Sequence, residues 1–222
     1  MSVDLIRVSA CDGYALWADT WDETPSPIVA VEHRALLPWI ERLDPRRAID
    51  VGCGTGRWTA YFPAIGVDAS PAMLAVASRK PGLRGRLVVA DATALPIVDR
   101  CADLVLCTLT IGHIRDQAAA LGEFARILEP GGTLIVTDFH PAAVAQGWRR
   151  TFRSNGRVYE LENHPYALDP VREAAVGLAA RECAEATIGE AERHLFDRAG
   201  RPDLFEAARG TPSVLLIRWT RL

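Results

Sequence analysis

The chain has 222 residues, 49% of them hydrophobic and 24% charged, with a net charge of -3. That length and apolar content suit a single globular domain able to bury a full core. The slight negative charge offers no basic footprint for nucleic acid or for an anionic membrane surface.

No window approaches the run of about 18 apolar residues that a membrane span requires. The opening stretch "MSVDLIRVSACDGY" carries charges where a leader peptide would need its apolar segment, so a cytoplasmic location is expected. The five cysteines, Cys11, Cys53, Cys101, Cys107 and Cys183, are odd in number and form no C-x-x-C pair. Neither a disulfide framework nor a metal site is expected, and all five read as small buried hydrophobes.

In chain order, the aromatic and acidic stretch "YALWADTWDE" (14 to 23) comes first and reads as part of a lid over residues 1–45. A helix is expected from Pro27 to about Leu43, capped by Ser26 and broken near Pro38. Short apolar runs then alternate with helical stretches: "RAIDV", "AIGVD", "RLVVAD", "ADLVLC" and "GTLIVTD" read as strands 1 to 5. Val-, Ile- and Leu-rich strands without strict polar alternation, separated by helices, indicate a parallel sheet covered on both faces. "SPAMLAVASRK" opens with a Ser70 cap and Pro71 at the first helical position. "QAAALGEFARILEPGG" puts Ala118, Leu121, Ala125 and Leu128 on one expected face and stops at Pro-Gly-Gly.

After strand 5 the alternation pauses. Residues 139 to 169, rich in aromatic, His and Arg side chains, read as an insertion roofing the substrate, with a hairpin at Asn155-Gly156. The hairpin's free edge is a candidate surface for a homodimer. A helix is expected from Asp169-Pro170, followed by an antiparallel pair of strands in "CAEATIGEAE" and "SVLLIRWTRL".

The chemistry concentrates in "IDVGCGTGRW", where strand 1 runs into glycines at 52, 54 and 56. Ligands of parallel α/β sheets bind beyond the carboxyl ends of the strands, and strand 1 borders that crevice. Glycines there allow a sharp turn and a close backbone approach. The G-x-G-x-G spacing differs from the pyrophosphate-seating G-x-G-x-x-G, and no triphosphate-binding G-x-x-x-x-G-K-[ST] occurs. Asp68, at the end of strand 2, can accept both hydroxyls of a ribose, and Asp91, at the end of strand 3, can accept from an adenine amino group. An adenosine carrying something other than phosphate fits this pattern.

Five stretches, "YALWADTWDE", "AIDVGCGTGRW", "GVDASPAMLAVA", "ADATALPIVDRCADLV" and "ILEPGGTLIVTD", together resemble the class I S-adenosylmethionine-dependent methyltransferases. The likeness is to the small bacterial ones related to quinone-biosynthesis methyltransferases, and it spans residues 14 to 140. The resemblance implies a three-layer Rossmann-like α/β sandwich. Its seven-stranded, mostly parallel sheet has the order 3-2-1-4-5-7-6 with strand 7 antiparallel. It places S-adenosyl-L-methionine across strands 1 to 3: Asp50 and Gly52, Gly54 and Gly56 near the methionine moiety, Asp68 with Ala69 at the ribose, and Asp91 with Ala92 at the adenine. Thr108 to His113 would flank the methyl group, and Tyr14 and Trp17 match the lid aromatics. Only eleven residues separate Gly56 from Asp68, so a shortened first crossover helix is expected.

For the transfer itself, His140 is the first candidate for a base that deprotonates the acceptor and His113 the second. Asp138 at the end of strand 5, with Trp148, Arg149, Arg153, Tyr159 and His164 in the roof, are candidate acceptor contacts. The aromatic roof favours a small aromatic or polyketide-like methyl acceptor, while O-, N-, C- and S-methylation stay open. A nucleobase substrate is disfavoured by the absence of an Asn/Asp-Pro-Pro-aromatic motif after strand 4. A protein that binds the sulfonium compound without transferring methyl is the alternative. A nicotinamide oxidoreductase calls for the longer glycine spacing and a Tyr-x-x-x-Lys, yet Lys80 is the only lysine.

Overall fold

The structure, a computed structural model, describes residues 5–166, 169, 173–174 and 176–222. Seven strands build one sheet, and the central ones are Val-, Ile- and Leu-rich because both faces are covered, while the edge strand Leu178–Thr187 is largely exposed. Its strands are β2 (Ala48–Val51), β3 (Ile65–Asp68), β4 (Leu87–Val89), β5 (Ala102–Thr108), β6 (Leu128–Phe139), β9 (Leu178–Thr187) and β10 (Pro212–Arg221). Their spatial order is β4-β3-β2-β5-β6-β10-β9, with β10 antiparallel to both neighbours and the others parallel. That is the order 3-2-1-4-5-7-6.

The pleat sends alternate side chains to opposite faces. Along β5, Val105 and Cys107 join a core with Leu121 and Phe124 of α4 (Gln117–Ile127). Leu104 and Leu106 join the other core, against Val31, Leu36 and Ile40 of α2 (Pro27–Ile40) and Trp58. The result is three layers. Helix α3 (Pro71–Ala77) starts at Ser70, whose hydroxyl accepts from the Met73 amide. No helix among the described residues is long and apolar enough to cross a membrane.

Several local expectations are corrected. Helix α2 runs through Pro38 to Ile40 without a break, because a proline this near the helix end forfeits one bond of the last turn rather than an interior one. In α4 the buried face is Gln117, Ala120, Leu121, Phe124 and Ala125, and Ala118 is exposed. Phe124, the largest apolar side chain there, sets the inward direction, and Gln117 is buried because its amide donates to the carbonyls of Ile111 and His164. The crossover after Gly56 is a series of turns, with Ala60 donating to Gly56 and Tyr61 to Trp58, instead of a short helix. Cys11 and Cys183 are exposed, the latter on an outward-facing position of β9; Cys53 and Cys107 are buried.

A second, three-stranded sheet covers the carboxyl ends of the first. The Asn155-Gly156 pair, with φ of 49° and 73°, closes the hairpin of β7 (Thr151–Ser154) and β8 (Arg157–Leu161). Positive φ at both central residues is the turn that matches strand twist. An unexpected strand, β1 (Leu5–Val8), pairs in parallel with β8 and leaves β7 as the outer edge. Helix α1 (Ala10–Trp21) follows β1 and packs on this sheet through Trp17, Phe152, Tyr159 and Leu161. Helix α5 (Pro141–Ala145) follows β6, and α6 (Arg193–Arg198) and α7 (Pro202–Ala208), also unexpected, join β9 to β10. The helix anticipated at Asp169-Pro170 falls largely outside the described residues.

Candidate cofactor and acceptor site

A cavity of about 700 Å³ lies beyond the carboxyl ends of β2, β3 and β5, between them and α1. Its floor is the glycine turn. Gly52 and Gly54 have φ of 71° and 55°, a region that residues with a Cβ rarely enter. A Cβ on Gly52 would lie 2.1 Å from Cγ2 of Thr110, whose hydroxyl donates to the Gly52 carbonyl. The amides of Gly52 and Cys53 both donate to the carbonyl of Val67.

Three carboxylates stand in the cavity wall. Asp50 is fully buried in β2; its Oδ2 accepts from the Thr59 hydroxyl at 2.6 Å while its Oδ1 has no hydrogen-bond partner. Burial pushes this carboxyl up to about 6, against the opposing pull of Thr59 and Arg57. Asp68 accepts from the Gly54 amide on Oδ2 and from the Ser70 amide on Oδ1, both at 2.8 Å. Burial raises it as well, offset by those two amides. Asp91 is exposed, and its Oδ1 accepts from the amide and hydroxyl of Thr93.

The opposite end is walled by aromatics and a polar cluster. Trp17 stacks on Phe152 with ring centroids 4.6 Å apart, and Tyr14 meets Trp21 edge-on. The Tyr14 oxygen lies 2.9 Å from Nε2 of His113, which ends the 3₁₀ turn Ile111–His113 after β5. Nη1 of Arg150 lies 2.7 Å from the same Nε2 and donates to the Leu109 carbonyl. Its Nη2 pairs with Asp138, and its guanidinium lies over the Phe139 ring. Nδ1 of His113 lies 3.2 Å from the Glu162 carbonyl. Burial, and next the Arg150 cation, hold His113 well below the usual histidine value. Burial likewise raises the Tyr14 phenol.

A family model described as a methyltransferase domain matches residues 49–136, from the glycine turn through β6. Residues 49–136 thus match a methyltransferase domain. A demethylmenaquinone methyltransferase of Thermus thermophilus is 38% identical over 107 residues, covering 44% of this chain and 49% of that one. A malonyl-[acyl-carrier protein] O-methyltransferase of Methylococcus capsulatus is 35% identical over 129 residues, covering 52% and 47%. The chain thus spans about half the length of these curated relatives. An S-adenosylmethionine-dependent methyltransferase of Mesorhizobium loti shares the fold, with a TM-score of 0.66 at 21% identity over 88% of this chain and all of that one.

Within the methyltransferase domain and its roof, the structure brings Tyr14, Trp17, Asp50, Gly52, Gly54, Asp68, Ala69, Asp91, Ala92 and Thr108 to the cavity wall, with His113, Arg149 and His164 at the acceptor end. Others stand elsewhere. Gly56 has φ of 82°, but the space a Cβ would take belongs to Leu83 and Ala77, so this glycine serves packing under the turn. His140 caps α5, Nδ1 accepting from the Ala142 amide, and turns Nε2 to Glu185 at 3.2 Å, outside the cavity wall. Asp138 lies buried behind Arg150. Trp148 packs on the α2 side of the sheet, Arg153 is exposed, and Tyr159 is buried under Phe152.

Sequence reasoning missed Arg150 and Trp21, while Thr110 falls within the Thr108 to His113 span expected there. Arg150 had a signal: Phe152 is the inward apolar residue of β7, and a period of two places Arg150 on the same side while Arg149 and Arg153 fall on the other. In a stretch with three arginines, the buried one was the one to single out.

Proposed function

We propose that this chain transfers a methyl group from S-adenosylmethionine to a small aromatic or polyketide-like acceptor in a single in-line displacement. The observation that carries this reading is one cavity of about 700 Å³ holding both ends of the chemistry. At one end are a glycine turn and an acid from each of three successive strand ends; at the other are aromatic rings and a buried polar cluster. A volume of this size suits two small molecules side by side.

The residues present fit the cofactor. Asp50 keeps an unpartnered carboxylate oxygen, suited to an ammonium group. Asp68 keeps lone pairs beyond its two amide contacts, suited to ribose hydroxyls, and Asp91 suits an adenine amine. Gly52 and Gly54 present backbone without a Cβ in the way. When bound, S-adenosylmethionine supplies a methyl group already activated on a sulfonium centre. The chain's tasks are then to align the acceptor at about 3 to 3.5 Å and to exclude water, for which Tyr14, Trp17 and Trp21 close the wall.

Of the two histidine candidates, only His113 reaches the wall, and both its nitrogens are already engaged. A base held well below its usual value is also a poor proton acceptor near neutrality. An acceptor that arrives ionised, or with an acidic proton, fits this wall better than an alcohol does. Titration calorimetry with S-adenosylmethionine, S-adenosylhomocysteine and NAD tests the reading first. Binding of the first two without NAD, followed by S-adenosylhomocysteine release with phenol or carboxylate acceptors, is the expected result. NAD binding alone would overturn it, and cofactor binding without turnover across such a panel would favour the non-transferring alternative.

A further inference from the structure

The polar cluster at the acceptor end draws on chain segments far apart. Tyr14 comes from α1, His113 from the turn after β5, Asp138 from β6, Arg150 from the segment ahead of β7, and the Glu162 carbonyl from the segment after β8. Arg150 is 8% exposed and Asp138 2%, so the pair is buried, and pairing is what permits both charges there. The guanidinium has only donors to offer. Its Nη1 lies 2.7 Å from Nε2 of His113, so that nitrogen must be the acceptor and the ring proton must sit on Nδ1, facing the Glu162 carbonyl. The same lone pair then receives the Tyr14 hydroxyl.

We propose that Arg150 is a positioning residue that keeps His113 as a neutral, Nδ1-protonated ring, so that its Nε2 seats the Tyr14 hydroxyl and with it α1 against the acceptor end of the cavity. Three further observations agree. Gly112 leaves the room this cluster needs, since a Cβ there would lie 2.3 Å from Oδ2 of Asp138 and 3.2 Å from Nη2 of Arg150. The groups facing His113 add no anion beside the ring: Tyr14, the Arg150 cation, His164 and the Glu162 carbonyl surround it, and Asp138 reaches it only through Arg150. Burial and the Arg150 cation both act against a proton on Nε2. A protonated ring would turn an N–H toward the Arg150 guanidinium, which can only donate, and Tyr14 could then only accept from Nε2 instead of donating to it.

The role in catalysis rests on the methyl-transfer reading; the positioning role itself does not. The test is a nitrogen NMR titration of the histidines in the full chain, without cofactor. In the wild type, His113 should show an Nδ1-protonated ring that stays neutral well below the value near 6.5 of an unperturbed ring, and a through-hydrogen-bond coupling to an Arg150 Nη. In Arg150→Gln/Asp138→Asn, which removes both charges together, His113 should titrate at a higher pH than in the wild type, with burial alone still holding it below an exposed ring, and should populate both tautomers. Tyr14→Phe should leave the ring neutral and Nδ1-protonated. A wild-type ring that titrates near 6.5 or carries its proton on Nε2 would overturn the proposal, as would an unchanged titration in the double variant. If the double variant fails to fold, the coupling and tautomer of the wild type decide. Failure here leaves cofactor binding by calorimetry untouched, and the absence of cofactor binding would leave these ring states untouched, so the two readings fail separately.

Discussion

Oδ2 of Asp68 accepts a 2.8 Å hydrogen bond from the Gly54 amide, which ties the end of β3 to the glycine turn after β2. Oδ1 does the same for Ser70 at the start of α3. One carboxylate therefore shapes the floor of the cavity as well as facing it. Asp68→Ala should weaken S-adenosylmethionine binding by roughly 1 to 3 kcal/mol, through lost charged hydrogen bonds and a relaxed turn. Calorimetry would read this as a fall of about 5- to 150-fold in affinity, and unchanged affinity would remove Asp68 from the ribose.

Asp50 should make stability depend on pH. Its folded value of about 6 lies above the ordinary 3.8, so the folded state favours the protonated form. The contribution of Asp50 to stability is then fully present below the unfolded value and is lost as pH rises through about 6. Asp50→Asn, which keeps an acceptor for Thr59, should be more stable than wild type by up to ~3 kcal/mol above about pH 7, with the gain gone below about pH 4. Urea unfolding across that range is the measurement. An equal gain at every pH would mean that the carboxylate's charge is not what is being relieved.

Two glycines separate strain from crowding. Gly85 has φ of 85° with no atom within 4 Å of a Cβ, so Gly85→Ala should cost about 1 kcal/mol for the left-handed backbone alone. Gly52→Ala adds a collision with Thr110 and should cost a further 1 to 3 kcal/mol or so. Equal losses in thermal unfolding would show that the Thr110 side chain yields freely.

His140→Ala should reduce stability by about 0.5 to 2 kcal/mol, because the ring caps α5. Cofactor affinity and turnover should stay within about twofold of wild type, a difference worth under 0.5 kcal/mol. A loss of turnover at intact cofactor affinity would bring His140 back into the reaction.

Much of the frame was legible because it is short-range. The parallel strands announced themselves in apolar runs, the caps Ser26 and Ser70 in their side chains, and the Asn155-Gly156 turn in its tolerance of positive φ. The strand order came with the family resemblance. Strand β1 was missed because "LIRV" is four residues long and stands only by pairing with β8, some 150 positions later. Helices α6 and α7 are likewise too short for a clear helical period.

The sequence by itself determined where the cavity lies: glycines at the end of β2 and acids at the ends of β3 and β4 are consequences of local turn chemistry and strand direction. Only the tertiary structure decided which side chains face it. Gly56 turned toward Leu83, His140 toward Glu185, and Arg150 inward to His113 and Asp138. Which way a side chain points, and what meets it, depends on strand register and on segments brought together across 37 and 99 residues. No local pattern encodes those meetings; the packing of α1 and the small sheet over the cavity creates them.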